Sequence, residues 1–455
     1  MKKFVLYSLN NYLHTVWCVV LFVWCVVTIS AQSYEQMWKQ VALFREQGLP
    51  QSALQSVEKI EKKAHREGNK GQALSAFLQS CVLRQEVVPD SFFANVHRME
   101  AMKSSSTNLV EQSVIASILG QVYAQNRYRS QLSSSLTSAH PDSIREWSVM
   151  QYDSASVANY ILSMKPVMEL AREKSAQWLP FVQKGKESAY FEGDLLNVVG
   201  RRAAEGVLTL YSLEQDSMLK LADRIRCLML TEYRRNGNEK AVLFVSLDSI
   251  RAHRNYENNY MLHVPFEDGL DAEKGVLLSS IYKSYACLLS SYAHLPEASE
   301  VYLEMQELNV SDSLKVQWLL QALDLYPKYA RRQALDNCLK LLNCPRLEWQ
   351  APSVLYPKKT YALPLVIRNL QSLRVQMFRM SESFSEKEFN GMSEPLSYVK
   401  RTGVQIDEFT HKFKTYPPYK DLVDSIRWTA PDIGCYVMVV HPQTDALLKK
   451  TPQPL

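Results

Sequence analysis

The hydrophobic pattern changes its period once along the chain, and this change constrains the fold more than any other feature. From Ser33 to about Asn343, apolar residues recur at steps of three and four, which places them on one face of successive helices. Beyond Pro345 they alternate with polar residues, as in half-buried strands. The sequence therefore predicts α plus β structure in separate domains, with a long all-α region followed by a small antiparallel β region.

The helical region consists of apolar stripes separated by short breakers such as Gly48-Leu49-Pro50 and Gly68-Asn69. Such a pattern is typical of stacked helical hairpins. No tetratricopeptide consensus repeats, and two irregular pieces, Ser130–Asp153 and Phe181–Asp194, interrupt the rhythm. We therefore predict a tetratricopeptide-like helical-hairpin array over residues 32–343. Its later helical stripes cover Leu195–Tyr211, Leu219–Tyr233, Ala241–Ile250, Val276–Tyr292, Ala298–Leu308, Leu314–Tyr326 and Ala334–Leu342.

Four strands are predicted in the C-terminal region. Alternating apolar residues mark Tyr361–Leu365, Leu373–Phe378 and Phe409–Phe413, and Gly434–Val440 has the form of a turn glycine leading into a buried strand. Several short strands within about a hundred residues indicate an immunoglobulin-like β-sandwich of the usual size, here over residues 344–455. The chain stops at Leu455, shortly after the last strand, which leaves open whether this domain is complete.

The first 31 residues have the anatomy of a secretory signal peptide. Lys2 and Lys3 precede an apolar run from Val16 to Ile29, and small residues end at Ala31. The run is shorter than the roughly 20 residues that a spanning helix needs, so cleavage after Ala31 is favoured over retention as a membrane anchor. We expect an exported protein of the periplasm or cell envelope that touches a membrane only through an uncleaved leader.

Cleavage after Ala31 would leave six cysteines: Cys81, Cys227, Cys287, Cys338, Cys344 and Cys435. Cys81 and Cys287 lie on apolar helical stripes, where buried, inert thiols are expected. A disulfide between Cys338 and Cys344 stays open as an alternative, because an exported protein meets an oxidising compartment. No pair has the C-x-x-C spacing of a zinc or redox site.

The common catalytic motifs do not occur in the sequence. It has no phosphate-binding or dinucleotide-binding glycine loop, no His-Glu-x-x-His and no Gly-x-Ser-x-Gly. A net charge of +5 over 455 residues requires no nucleic-acid partner. We therefore expect a protein that is not an enzyme, with no catalytic, cofactor-binding or metal-binding residues and no cofactor.

The weak candidates for a site are a histidine-flanked segment and two basic doublets. His253 and His263 flank an Asn/Tyr-rich stretch, Asn255–Tyr260, which is interpreted as a solvated inter-helix loop. The acidic residues around it, Glu257, Glu267, Asp268 and Asp271, lack the ligand spacing of a calcium loop. The doublets Arg201-Arg202 and Arg331-Arg332 are interpreted as solvated faces rather than phosphate clamps.

The order of these features resembles the N-terminal part of alpha-2-macroglobulin-like proteins of Bacteroidetes, in which a leader and a helical tetratricopeptide-like region precede the first macroglobulin domain. The resemblance rests on motifs spread over nearly the whole mature chain. They are Ser33–Lys39, Gly48–Leu54, Val57–Ile60, Ala64–Asn69, Tyr326–Tyr329, Arg368–Leu370, Leu373–Arg379 and the Pro-x-x-Gly-x-Tyr segment within Ala430–Tyr436.

The resemblance implies a role in protease trapping, in which a protease cuts a bait region and is enclosed, and it implies proteases or envelope proteins as partners. The Cys-x-Glu-Gln thioester of many members does not occur here: Val-Leu-Arg follows Cys81 and Tyr-Val-Met follows Cys435. The bait region and later domains would lie beyond Leu455. The expectation is therefore a non-catalytic, truncated or split form that does not trap proteases alone.

Two other functions stay open. A helical-repeat periplasmic scaffold or binding module would hold a peptide or protein, and its mark would be a groove lined by Tyr, Asn and Arg from successive helices. An unfamiliar enzyme would need convergent titratable groups in a pocket, for which His253, His263 and the nearby acids are the candidates. The sequence does not indicate an oligomeric state.

Overall fold

The computed structural model describes residues 33–130, 143–183, 193–260, 275, 279–349, 352, 354–382, 384–385, 389–415, 417–429 and 431–443. The described chain is mostly helical up to residue 343 and ends in two small antiparallel sheets of three strands each. The predicted all-α region followed by a small β region is confirmed. The leader, residues 1–31, lies outside the described residues. No helix among the described residues is long and apolar enough to cross a membrane.

Fifteen α-helices occur in the described residues. In chain order, α1 to α15 are Tyr34–Glu46, Pro50–Glu67, Lys70–Val87, Ser91–Ser105, Leu109–Asn126, Val149–Ser163, Val167–Arg172, Leu195–Val207, Gln215–Arg235, Glu239–Tyr260, Ser280–Tyr292, Ser299–Met305, Asp312–Leu325, Arg332–Asn343 and Pro395–Thr402. The sequence-predicted stripes overlap these helices, although residues 276–278 of one stripe lie outside the described residues and another runs beyond the end of α8 at Val207. The predicted loop over Asn255–Tyr260 was wrong, because α10 continues through it.

Helix ends follow the local sequence. Ser33 and Ser148 form capping boxes with the glutamines three residues later, at the start of α1 and α6. Asp194 accepts a hydrogen bond of 2.7 Å from the backbone N–H of Asn197 and so begins α8. Gly68 ends α2 at φ 65°, a left-handed conformation that glycine adopts without steric cost. These caps satisfy backbone groups that the helices leave unpaired.

The chain forms two compact units that divide between Val245 and Ser246, within α10. In the first unit, consecutive helices pack against each other, most closely α2 on α3 and α5 on α6, and α8 packs on both α5 and α6. Glycines on α5 and α8 allow the Tyr160 ring of α6 to approach both helices closely. A methyl group added at Gly120 of α5 would lie 2.8 Å from Cδ1 of Tyr160, and one added at Gly206 of α8 would lie 2.5 Å from its hydroxyl oxygen.

The second unit contains the strands. They are β1 Arg346–Trp349, β2 Thr360–Arg368, β3 Ser372–Arg379, β4 Val404–Lys412, β5 Leu422–Thr429 and β6 Tyr436–Gln443. The sheets have the orders β1-β2-β5 and β4-β3-β6, and every pair is antiparallel. Leu363 pairs with Ile426 in the first sheet, and Val375 pairs with Phe409 in the second. The four predicted strands are therefore present, and β1 and β5 are additional.

The two sheets share one hydrophobic core, to which β2 gives Leu365 and Ile367, β3 gives Leu373, Val375 and Met377, and β5 gives Ile426 and Trp428. Strand β3 is buried on both faces. Leu373, Val375 and Met377 face the shared core, whereas Phe378 packs in a second cluster with Val399 of α15. Strand β6 is only partly buried, although its sequence predicts a buried strand.

The turn between β2 and β3 is fixed to the helices of the same unit. Asn369, in the left-handed conformation at φ 54°, donates its side-chain amide to the carbonyl of Leu342 at 2.9 Å. Its side-chain oxygen accepts from the backbone N–H of Tyr419, also at 2.9 Å. Arg368 pairs with Asp312 of α13 and, at 2.7 Å, with Asp421. The end of β2 is therefore held by both a helix and a loop of the sheets.

Candidate functional site

A groove of about 890 Å³ lies between α5, α6 and α8 in the first unit. Helix α5 contributes Gln121 and Gln125, and α6 contributes Tyr160. Helix α8 contributes a polar face formed by Asn197, Arg201, Arg202 and Glu205. The turns that follow α5 and α8 complete the lining with Arg127, Tyr128, Thr209 and Tyr211. Polar and aromatic side chains thus converge from three helices.

Tyr160 forms the floor of the groove between the glycines of α5 and α8. It is 2% exposed, and burial raises the pKa of its hydroxyl above the ordinary value, while the nearby Arg202 guanidinium lowers it. Gly120 and Gly206 both lie against the ring, because a methyl group added at Gly120 would lie 2.8 Å from it and one added at Gly206 would lie closer still. The ring of Tyr160 therefore forms the groove floor, and it fits between α5 and α8 because each helix has a glycine where it contacts the ring.

Arg127 fixes one rim of the groove. Its Nη1 donates to the carbonyl of Thr209 at 2.9 Å and to the buried carboxylate of Asp153 at 3.2 Å, and its guanidinium lies 4.0 Å from the ring centre of Tyr211. Asp153 also accepts from the backbone N–H and the hydroxyl of Ser212, at 3.3 Å and 2.6 Å. The segment after α8 is thereby held to α6 through one buried carboxylate.

The two arginines of the doublet on α8 differ in their partners. Arg201 pairs with Glu205 one turn later, at 4.0 Å. Arg202 is partly buried and lies 5.9 Å from the ring centre of Phe181, and none of the hydrogen bonds or ion pairs among the described residues includes it. Burial lowers the pKa of the Arg202 guanidinium below its ordinary value, yet an arginine stays charged at neutral pH. Among the described residues, the groove therefore contains one arginine without a carboxylate partner.

Two tyrosines stand at the rim with most of their surface in solvent: Tyr128 is 71% exposed and Tyr211 is 66% exposed. The side-chain amides of Gln121 and Gln125 have no hydrogen-bond partner among the described residues. Exposed tyrosine rings and free amides suit a ligand that offers apolar side chains and backbone hydrogen-bonding groups.

The interpretation of the basic doublets as solvated faces was wrong for three of the four arginines. Arg201 and Arg202 line the groove, and Arg331 is partly buried against the carboxylate of Glu300 at 2.8 Å. Only Arg332 is exposed, in a pair with Asp336 at 3.6 Å. Two adjacent residues on a helix point in different directions and can meet different surroundings, and the sequence alone does not show what each of them contacts.

The histidine-flanked segment does not form a site in the described part of the chain. His253 and Glu257 lie on α10 and are partly buried, whereas His263, Glu267, Asp268 and Asp271 lie outside the described residues. Among the residues that the structure describes, no group of three or more His, Cys, Asp or Glu side chains is placed to hold a metal ion.

The six described cysteines are free thiols. Cys81 is buried, as predicted, and burial raises the pKa of its thiol to about 11. The same prediction was wrong for Cys287, which is exposed. Cys338 and Cys344, the nearest pair, are not bonded to each other.

No protein-family model matches the chain, and no curated protein matches it.

Proposed function

We propose that this protein is a non-catalytic, exported binding module that holds a peptide or protein segment in the groove between α5, α6 and α8. The observation that carries the proposal is the lining of this groove, in which tyrosines, amides and arginines converge from three helices. Helical-repeat proteins bind extended partners in grooves of this kind. A volume of about 890 Å³ accommodates several residues of an extended peptide.

A groove-filling substitution tests this proposal. A phage library of random peptides is panned on the purified protein and on the Gln125→Trp variant, in which an indole would occupy the groove. The matched control is Leu43→Trp, at a half-exposed position of α1 outside the groove. We expect enriched peptides to bind the wild type and the control but not Gln125→Trp. Equal binding to all three proteins would contradict the proposal.

As a second candidate, we propose kinship with the N-terminal region of alpha-2-macroglobulin-like proteins. The helices before residue 343 would then be the tetratricopeptide-like array, and the two sheets would be an immunoglobulin-like sandwich of the macroglobulin type. Two antiparallel sheets with a shared core support this assignment, as do the sequence motifs that carry the resemblance. The chain carries no Cys-x-Glu-Gln, so we expect no covalent tethering of a protease.

An enclosure assay distinguishes a protein that traps proteases from one that only binds a peptide or protein segment. The purified protein is incubated with trypsin, and the protease is then challenged with a large protein inhibitor. We expect the inhibitor to reach trypsin fully, because the proposed groove binds a peptide segment and does not enclose a whole protease. Protection of active trypsin from the inhibitor would show a trap and overturn this expectation.

Export is proposed from the leader. Expression of the full chain in a Gram-negative host, followed by N-terminal sequencing of the periplasmic product, is expected to give a mature protein that begins at Gln32. A product that starts at Met1 and sediments with membranes would instead indicate a retained anchor.

A further inference from the structure

The charge balance of the groove is uneven. Of its three arginines, Arg127 is paired with buried Asp153 and Arg201 with Glu205, whereas Arg202 has no carboxylate partner among the described residues. Arg202 lines the groove, and its nitrogens are not among the fully buried unpaired polar atoms of the described chain.

A partly buried guanidinium without an anion is an unusual arrangement. Burial costs the charge part of its hydration free energy, and no ion pair offsets that cost. Phe181 offsets this only weakly, because its ring centre lies 5.9 Å away. The natural complement is an anion that supplies two parallel acceptors, which is the geometry of a carboxylate.

Resting on the proposed peptide-binding function, we propose that the groove selects peptide segments that carry a carboxylate, which Arg202 binds in a bidentate manner. The carboxylate is either an Asp or Glu side chain or the C-terminus of the peptide. The free amides of Gln121 and Gln125 would pair with the peptide backbone, and Tyr128 and Tyr211 would pack on the neighbouring side chains.

The charges favour a carboxylate over a phosphate or a nucleic acid. One uncompensated guanidinium matches one negative charge, whereas a phosphorylated side chain carries about two at neutral pH. Glu205 is also exposed at the groove, and it repels a dianion more strongly than a monoanion. Nucleic-acid binding draws its affinity from many phosphate contacts, which a single free arginine does not provide.

Oriented peptide libraries test the selectivity without any change to the protein. Four synthetic libraries have random residues on both sides of a fixed centre: Glu with an amidated C-terminus, Gln with an amidated C-terminus, Gln with a free C-terminal carboxylate, and phosphoserine with an amidated C-terminus. Each is passed over the immobilised protein at low salt, and the retained peptides are quantified by mass spectrometry.

We expect retention of the amidated Glu library, the free-acid Gln library or both to exceed that of the amidated Gln library by about tenfold, the effect of one charge-assisted bidentate contact. The two carboxylate libraries show which source the groove takes. Stronger retention of the phosphoserine library than of both carboxylate libraries would overturn the proposal in favour of a phosphate site.

Arg202→Gln is expected to abolish the preference while leaving residual retention of all libraries, and Arg202→Lys to retain only part of it. Arg66→Gln, at an exposed position of α2 outside the groove, is the matched control and should behave as the wild type. Circular dichroism verifies that each variant is folded. Equal retention of the amidated Glu library and both Gln libraries by the wild type refutes carboxylate selection but leaves peptide binding intact. Retention of none of them refutes the proposed function itself.

Discussion

The Arg127–Asp153 pair provides the sharpest test of how the groove is held open. The Asp153 carboxylate is completely buried and receives one bond from Arg127 and two from Ser212. The change Arg127→Met would leave this carboxylate with its two Ser212 bonds and no counter-charge. Breaking a buried pair from one side costs about 3–5 kcal/mol. For an m-value of about 2–3 kcal/mol/M in urea, the midpoint should fall by ~1–2.5 M.

The assay is urea unfolding followed by far-UV circular dichroism. The double variant Arg127→Met with Asp153→Asn removes both charges and keeps an acceptor for Ser212, so it should recover more than half of the lost free energy of unfolding. Asp216→Asn is the control, because it breaks an exposed pair with Lys220 and should cost less than about 1 kcal/mol. If Arg127→Met costs no more than this control, the buried pair does not hold the rim.

Three further predictions concern single positions. Gly206→Ala should lower the free energy of unfolding by about 1–3 kcal/mol, measured in urea, because the new methyl meets the tyrosine ring on the groove floor; an unchanged midpoint would show that the ring moves freely. Glu408 has its pKa lowered to about 2 by hydrogen bonds from Arg374 and two glutamines, so its stabilising contribution is complete above the unfolded pKa of about 4.3 and is lost as the pH falls towards 2. An NMR titration should show this midpoint in the wild type and a higher one in Arg374→Met; equal midpoints would contradict the role of the arginine. Cys81, with its pKa raised to about 11, should be alkylated by iodoacetamide at pH 8 far more slowly than the exposed thiols, as followed by mass spectrometry, and comparable rates would show that its helix opens readily.

The helices could be predicted because local sequence determines both their faces and their ends. On α11, for example, the buried residues are Ile281, Tyr285 and Leu288, which follow one another at steps of four and three. The same geometry explains the error at Cys287. This residue lies between Tyr285 and Leu288 in sequence, but a step of two places it on a different side of the helix, towards solvent.

Strand β2 was predictable because its burial alternates, whereas β1 and β5 were not predicted. Strand β2 buries Leu363, Leu365 and Ile367 in strict alternation, and its core face is visible in the sequence. Strand β1 is a short edge strand with no buried residue, and β5 buries only Ile426 and Trp428 at its end. Strand β1 gives the core no buried side chain and β5 gives it only two, so their sequences carry a weak periodic signal.

The groove could not be predicted from the sequence because its residues come from three helices and obey no common period. The doublet Arg201-Arg202 was visible, but its environment depends on Phe181 and Tyr160, which are brought there by packing. One signal was available. Gly120 and Gly206 interrupt otherwise strong helical stripes, and a glycine in that position usually marks a close approach of another group. Here that group is the ring of Tyr160, which both glycines face.

The change of hydrophobic period near Pro345 and the division into compact units answer different questions about the chain. The period reports which secondary structure a segment forms, and it changes at the end of α14. The units report which segments share contacts, and they divide a hundred residues earlier, within α10. The contacts of Asn369 and Arg368 explain the difference, because they fix the β2–β3 turn to Leu342 and Asp312 of the preceding helices. Local periodicity cannot reveal such contacts, since each depends on one polar side chain that meets a distant partner. The helices α11 to α14 therefore belong with the sheets in packing, although their sequence pattern matches that of the helices before them.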